Sequence, residues 1–372
     1  MKRVPGFVLA MFVLLLAHGQ VSWAHWPGQP EHQFADLGEF KLEDGGVIEN
    51  LRMSYVTYGK LNAAKDNAVL FMHGFALNHH QADHLIGPGK PLDTDHYFII
   101  CSDELGNPQT TFEHSTSPTN SGLRMRFPSY KGRDRVNAEH MLVTKVLGIP
   151  HLLAATGISS GADASVQMAV SYPGFMDGIF PISGGGLYTT QGFSFGPLML
   201  SILETCAGWN SGDYEQNPKV CAYNAISVFI PFMYTQTWWE QFIDSPEAYT
   251  KWRNTQGEYY FDILDARDLY YRQLADMRSW VGDTPGFQDD LTAILGSIKA
   301  KTLFLASPRD QFVPKPYYET MVSSIPGARV VWIDSVAGHL MCCNADPNAT
   351  RILGDAISSF LHVLSKRQNS KK

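Results

Sequence analysis

Basic residues are scarce in this chain, and few of them are clustered. Its 372 residues include 29 lysines and arginines against 36 aspartates and glutamates, which gives a formal net charge of −7. Proteins that coat a nucleic-acid backbone carry basic stripes, so this balance excludes nucleic acid as an expected partner. The one basic cluster lies at residues 366–372, a segment that we expect to be a disordered tail.

Long apolar runs are also lacking. The run at residues 8–17 is about half of the roughly 20 residues that span a bilayer, and no other segment comes closer, so we expect no stable membrane insertion. Lys2 and Arg3 precede this run, and small residues follow it near Ala24. This order predicts a signal peptide at residues 1–24, cleaved after Ala24, and a secreted or periplasmic mature protein.

Cysteine is infrequent, with five residues in the chain. An odd number leaves at least one cysteine unpaired in the monomer, and an oxidising compartment favours a disulfide between two of the others. We prefer the pair Cys206 and Cys221. Cys101 ends an apolar run and suits a buried position, whereas the adjacent Cys342 and Cys343 leave a structural and a redox role open.

Apolar residues are plentiful, at 44% of the chain, and their spacing indicates the fold class. An early alternating stretch, residues 40–55, is typical of antiparallel edge strands. Short continuous apolar runs then alternate with helix-like segments at 136–147, 162–171 and 317–324; the runs lie at 68–72, 97–101, 152–156, 178–182, 302–306 and 329–333. This rhythm predicts an α/β fold with a mostly parallel sheet and helices on both faces.

The rhythm stops between residues 187 and 295, where the sequence is rich in aromatic residues and has no clear strand. We predict a helical cap over 187–295, inserted above the carboxyl ends of the strands, where α/β sheets bind ligands. Residues 25–186 and 296–365 would then form the α/β core.

A Gly-Ile-Ser-Ser-Gly pentapeptide centred on Ser159 lies between an apolar run and a helix-like segment. In this context a G-x-S-x-G pattern places a serine on a tight strand-to-helix turn, with its hydroxyl exposed for nucleophilic attack. The serine needs a base and an orienting acid, and His339 and Asp310 follow later strands in the order Ser, Asp, His. Asp334 is the competing acid, although it suits an ordinary turn.

An oxyanion formed on this serine would need two backbone donors. We expect them at Ser160, which follows the nucleophile, and at Phe75, which follows the first apolar run. His73 is interpreted as a structural brace under that loop. His79, His80 and neighbouring histidines raise the question of a metal, but their spacing matches no ligand pattern, so we expect no metal and no cofactor.

With these residues placed, the mature chain resembles the homoserine O-acetyltransferase family of the α/β-hydrolase fold. The segments that match family landmarks are residues 56–62 (VTYGKLN), 87–94 (GPGKPLDT), 127–129 (FPS) and 209–214 (WNSGDY). The resemblance implies Ser159 as nucleophile, Asp310 as orienting acid and His339 as base.

Two departures from the family concern the substrate. The family has an acidic residue after the catalytic histidine and an arginine in the cap, but here Leu340 follows His339 and Lys219 is the only basic residue between Tyr214 and Thr250. We therefore expect a secreted serine hydrolase acting on a small-molecule acyl ester. An O-acyltransferase is the alternative, and a non-catalytic binding protein on the same fold is a third; the oligomeric state stays open.

Overall fold

The computed structural model describes residues 29–109, 114–187, 190–278 and 281–371. The predicted signal peptide lies outside the described residues. Within them, no helix is both long enough and apolar enough to cross a membrane.

In the described part of the chain, eight strands form a single sheet in the order β1-β2-β4-β3-β5-β6-β7-β8. The strands are β1 (Gln33–Lys41), β2 (Val47–Tyr58), β3 (Ala68–Met72), β4 (Phe98–Ser102), β5 (Leu152–Ile158), β6 (Met176–Ile182), β7 (Lys301–Ala306) and β8 (Arg329–Trp332). The first two strands are antiparallel to their neighbours, while β3 to β8 run parallel to one another. The predicted fold class, a mostly parallel sheet with antiparallel strands at one edge, is confirmed.

Helices cover both faces of this sheet, which explains why its central strands are continuously apolar. The helices are α1 (Gly132–Met141), α2 (Ser160–Ser171), α3 (Thr190–Thr205), α4 (Lys219–Ile226), α5 (Ile230–Met233), α6 (Gln236–Phe242), α7 (Pro246–Ile263), α8 (Ala266–Met277), α9 (Leu291–Gly296), α10 (Lys315–Ser324) and α11 (Pro347–Lys371). Leu70 shares an apolar cluster with Val166 of α2, whereas the adjacent Phe71 shares another with Leu361 of α11. Successive strand residues therefore face opposite helical layers.

Helices α3 to α9 all lie between β6 and β7, in the part of the chain where the sequence has no strand signal. A disulfide joins Cys206, at the end of α3, to Cys221 in α4, with the two Cα atoms 5.7 Å apart. The preferred cysteine pair is confirmed. Cys101, Cys342 and Cys343 are free cysteines.

The carboxyl-terminal helix is longer than the sequence suggested. Helix α11 continues to Lys371 and so crosses most of the segment expected to be a disordered tail. Residues 366–371 include no proline or glycine that would end a helix, so the helical hydrogen-bond ladder can continue along them.

Candidate functional site

Ser159 lies at the turn between β5 and α2, in a backbone conformation that non-glycine residues rarely adopt. Its φ is 56° and its ψ is −118°. The flanking glycines permit this turn, because a Cβ at Gly157 or Gly161 would overlap the Met72 carbonyl oxygen on the neighbouring strand β3. The close packing of three backbone segments therefore fixes where the Ser159 hydroxyl stands at the carboxyl edge of the sheet.

The structure brings the three residues predicted to act together into one hydrogen-bonded row. His339 Nε2 is 2.9 Å from Ser159 Oγ, and His339 Nδ1 is 2.8 Å from Asp310 Oδ2. The other oxygen of Asp310 accepts hydrogen bonds from the amides of Phe312 and Val313, at 2.7 and 3.0 Å, which holds the carboxylate in place against the imidazole.

Asp334, the competing acid, lies elsewhere. Its carboxylate forms an exposed ion pair with Arg309, at 2.5 Å, on the protein surface. Of the two candidate carboxylates, the structure places Asp310 on the imidazole.

The pKa of His339 is raised above the ordinary histidine value. Burial opposes protonation of the ring, but the charge of Asp310 and its hydrogen bond to Nδ1 outweigh that effect. An imidazole in this setting takes up a proton from a neighbouring hydroxyl more readily than a free histidine does. Such a ring suits a general base.

Both residues predicted as oxyanion donors line the cavity beside Ser159. Ser160 is the first residue of α2, so its amide lies at the positive end of the helix dipole. The loop that holds Phe75 is fixed by a hydrogen bond of 2.7 Å from the Gly74 amide to Gln81 Oε1. His73, buried below it, has Nδ1 2.8 Å from the Gly74 carbonyl and accepts a bond from the Glu104 amide, as expected of a brace.

The cavity has a volume of about 280 Å³, and most of its wall is apolar. Its apolar wall includes Phe75, Phe195, Phe229, Met233, Phe312 and Leu340. The segment from α3 to α5 and the loops after β3, β7 and β8 supply these apolar side chains, and residues of α1, α2 and α8 add to the lining. The aromatic residues of the inserted segment thus form a ligand-sized space directly over Ser159 and His339.

A buried ion network lies beside this cavity, and the sequence did not predict it. Arg272 in α8 is fully buried and lies 2.5 Å from both Glu104 and Asp276. Arg135 in α1 lies 2.8 Å from Glu104 and 2.9 Å from Asp276. Glu104 and Arg272 are 168 positions apart, so no sequence signal could have shown that they pair.

The network also bears on whether an arginine is available to bind a substrate carboxylate, as the cap arginine of the family would. Two buried arginines are present near the nucleophile, and Arg272 even donates a hydrogen bond of 2.9 Å to Ser160 Oγ. Both guanidinium groups are nevertheless compensated by Glu104 and Asp276, which leaves two positive and two negative charges. No net positive charge remains on these four residues to attract a substrate carboxylate.

Two overlapping groups of side chains could hold a metal ion. They are His32 with His79 and His80, and His79 with Asp103 and His114. His73 and His339 lie outside both groups.

Comparison with known proteins places the chain among acyl-transfer enzymes. No protein-family model matches it. A homoserine O-acetyltransferase from Symbiobacterium thermophilum is 33% identical over 366 residues, covering 88% of this chain and 93% of that protein. A probable esterase from Corynebacterium glutamicum is 28% identical over 340 residues, covering 86% of this chain and 93% of that protein.

A solved structure agrees with these matches. An acetylester hydrolase from Corynebacterium glutamicum superimposes with a TM-score of 0.79 at 26% identity, over 89% of this chain and 96% of that one. The identity and coverage of the first relative exceed what a shared fold alone would give. The chain therefore belongs to the homoserine O-acetyltransferase family and is an α/β-hydrolase-fold enzyme, a hydrolase or acyltransferase.

Proposed function

We propose that the chain is a serine hydrolase that cleaves a small carboxylic ester through an acyl-Ser159 intermediate. The observation that carries this proposal is the His339 ring, which bridges Ser159 Oγ at 2.9 Å and Asp310 Oδ2 at 2.8 Å beside an apolar cavity. A hydroxyl becomes an effective nucleophile near neutral pH when an oriented base takes its proton, and this row supplies both base and orientation.

In the proposed reaction, His339 Nε2 takes the Ser159 proton while Oγ attacks the ester carbonyl carbon. The amides of Phe75 and Ser160 stabilise the negative charge on the carbonyl oxygen. When the C–O bond to the leaving group breaks, the His339 imidazolium protonates the departing alcohol. Water then attacks the acyl-enzyme with His339 again as base, and the free acid leaves as Ser159 regains its proton.

Water is favoured over an amino-acid acceptor because of the groups that surround the cavity. Leu340 offers no carboxylate for an ammonium group, and Arg135 and Arg272 are already paired with carboxylates. A cavity of about 280 Å³ is near the lower end of the roughly 300–1,000 Å³ usual for ligand sites, which favours a small ester. The name of the acetylester hydrolase relative is consistent with a short acyl group.

The test is a screen of p-nitrophenyl esters, from acetyl to octanoyl, with Ser159→Ala as the matched blank. We expect kcat to fall about 10⁴–10⁶-fold in that variant, because the nucleophile is lost. Ser323→Ala, at an exposed serine of α10, should match the wild type. Full activity in Ser159→Ala would overturn the proposal.

The second candidate is an O-acyltransferase, and it is favoured by the relative named homoserine O-acetyltransferase at 33% identity. The two candidates differ in what accepts the acyl group. The purified enzyme is supplied with acetyl-coenzyme A or p-nitrophenyl acetate, with and without L-homoserine. A hydrolase forms acetate at the same rate in both mixtures, whereas a transferase releases the acyl donor's leaving group faster with the acceptor and forms O-acetylhomoserine.

We further infer that the chain is exported and cleaved after Ala24. The charged start, short apolar run and small residues of segment 1–24 support this inference. The disulfide between Cys206 and Cys221 also supports it, since such bonds persist in oxidising compartments. Intact-mass analysis of the protein from the medium or periplasm should give a chain that begins at His25. An uncleaved chain retained in the cytoplasm would contradict the inference.

A further inference from the structure

Three imidazole rings from two distant parts of the chain meet at one point outside the proposed active site. His32 directly precedes β1, while His79 and His80 lie in the loop that follows β3. The Nε2 atom of His32 is 2.7 Å from Nε2 of His79 and 3.2 Å from Nε2 of His80. The ligand atoms of all three rings lie within 4.8 Å of one another.

The opposite nitrogen of each loop histidine faces a carboxylate. His80 Nδ1 is 3.1 Å from Asp83 Oδ2, and Tyr58 donates a hydrogen bond of 2.5 Å to the other oxygen of Asp83. A carboxylate can only accept, so the His80 proton is on Nδ1 and the lone pair of Nε2 points into the cluster. The fully buried His79 has its Nδ1 3.9 Å from Asp103 Oδ1, with no hydrogen-bond partner among the described residues.

This arrangement is poorly explained by hydrogen bonds alone. A single N–H on His32 Nε2 cannot point well at both His79 and His80, yet both nitrogens lie within hydrogen-bond distance of it. A cation that accepts three lone pairs satisfies all the rings at once. Tetrahedral Zn²⁺ with Zn–N bonds of roughly 2.0–2.1 Å places its nitrogens about 3.3 Å apart. The 3.2 Å between His32 and His80 fits this spacing, and the 2.7 Å between His32 and His79 would widen when an ion binds.

We propose that His32, His79 and His80 bind a divalent transition-metal ion of the zinc type through their Nε2 atoms. Three imidazoles without an oxygen ligand among them select Zn²⁺ over Mg²⁺ or Ca²⁺. Asp83 orients His80 from behind, as carboxylates commonly do behind metal-bound imidazoles. The fourth position is left to water.

The role of this ion is structural. It ties the segment before β1 to the loop that also holds Phe75, since Gln81, next to His80, anchors the Gly74 amide. The proposal does not rest on the proposed hydrolysis, because none of the three histidines lines the cavity beside Ser159. The sequence alone did not reveal it because His32 is separated from His79 by 47 positions.

The test uses the full chain, prepared without a polyhistidine tag and freed of metal with a chelator. Zn²⁺ is titrated in competition with a chromogenic chelator, and the melting temperature is followed with and without Zn²⁺. We expect one equivalent of Zn²⁺ per chain and a higher melting temperature in its presence. The variant His80→Gln should bind at least about 100-fold more weakly, and Asp83→Asn roughly 10–100-fold more weakly.

His96→Gln is the matched control, because His96 is an exposed histidine with 73% of its side chain accessible. It should bind like the wild type. Circular dichroism without metal verifies that each variant folds, and His32→Gln, at the start of the described chain, replaces His80→Gln if the latter does not fold. The proposal is wrong if the wild type binds no stoichiometric Zn²⁺, or if the folded histidine variant, His80→Gln or its replacement His32→Gln, binds as tightly as His96→Gln.

Discussion

At the scale of single residues, the carboxylate of Asp310 both orients His339 and changes its proton affinity. Its Oδ2 contacts Nδ1 at 2.8 Å, so Nε2 is the nitrogen left to face Ser159. In the proposed reaction, the reactivity of Ser159 would therefore depend on Asp310, which contacts His339.

This arrangement predicts the pH profile. A general base works only when it is unprotonated, and the pKa of His339 is raised by Asp310 against the effect of burial. The acidic limb of kcat/KM should therefore lie above the ordinary histidine pKa of about 6.5, with activity lost as the pH falls through it. The measurement is ester hydrolysis with an uncharged substrate, at pH values chosen to span about two units on either side of that limb.

The variant Asp310→Asn tests whether the charge of Asp310 raises the pKa of His339. The variant removes the charge that raises the pKa, so the acidic limb should shift to lower pH and kcat should drop by about 10⁴-fold. A wild-type limb at or below about 6.5 would contradict the assignment of His339 as a base under the influence of Asp310.

Leu340 is the residue at which acceptor choice can be tested. Leu340→Asp would place a carboxylate on the cavity wall next to His339. With L-homoserine as acceptor, we expect the ratio of acyl transfer to hydrolysis to rise about 10-fold, the effect of one charge-assisted hydrogen bond to the ammonium group. The control is Leu340→Asn, which has a similar shape without the charge. Equal ratios in the two variants would count against the electrostatic explanation.

At the scale of elements, apolar runs predicted the strands well because their residues are buried on both faces. The run at 68–72 coincides with β3, and the run at 152–156 lies within β5. The helix-like segment at 162–171 misses only the first two residues of α2. Those two residues belong to the strained turn, whose geometry depends on the neighbouring strand β3 and not on helical periodicity.

The tight contact between β3 and this turn can be tested with one methyl group. In Gly161→Ala the new Cβ would overlap the backbone of Met72 and His73, so the turn or the strand must shift. We expect a loss of about 1–3 kcal/mol in the free energy of unfolding, measured with urea. We also expect kcat/KM for ester hydrolysis to fall by more than this loss of stability explains. Gly174→Ala is the control, since a Cβ at that position would meet nothing within 4 Å. Equal stability in the two variants would contradict the close approach.

At the scale of the whole molecule, the network of Glu104, Arg135, Arg272 and Asp276 joins the inserted helices to the sheet layer. Glu104 follows β4 closely, whereas Arg272 and Asp276 belong to α8. The fold class and the row of Ser159, His339 and Asp310 could be predicted because local motifs and chain order encode which segments meet there. This network and the histidine cluster could not, because they depend on which distant segments meet in the folded chain.

Glu104→Gln tests the network. Removing one carboxylate leaves Arg135 and Arg272 partly unpaired in a buried site, so we expect a loss of about 3–5 kcal/mol in unfolding free energy. Glu139→Gln is a matched control in α1: burial raises the pKa of Glu139 to about 8, so its side chain is largely neutral at neutral pH and the amide replaces it at little cost. Urea unfolding at neutral pH that gives similar losses for both variants would contradict this account.

The network also limits which helix can move when a substrate enters the proposed active site. Moving α8 away from the sheet would separate Arg272 from Glu104 and expose the fully buried guanidinium group of Arg272 to solvent. Exposing an unpaired buried charge is energetically expensive, so we expect α8 to stay in place beside the cavity, which its residues Gln273 and Asp276 line. For the proposed hydrolysis we therefore expect ester and acid to pass by small displacements of the aromatic wall formed by Phe195, Phe229 and Phe312, while the two layers stay docked.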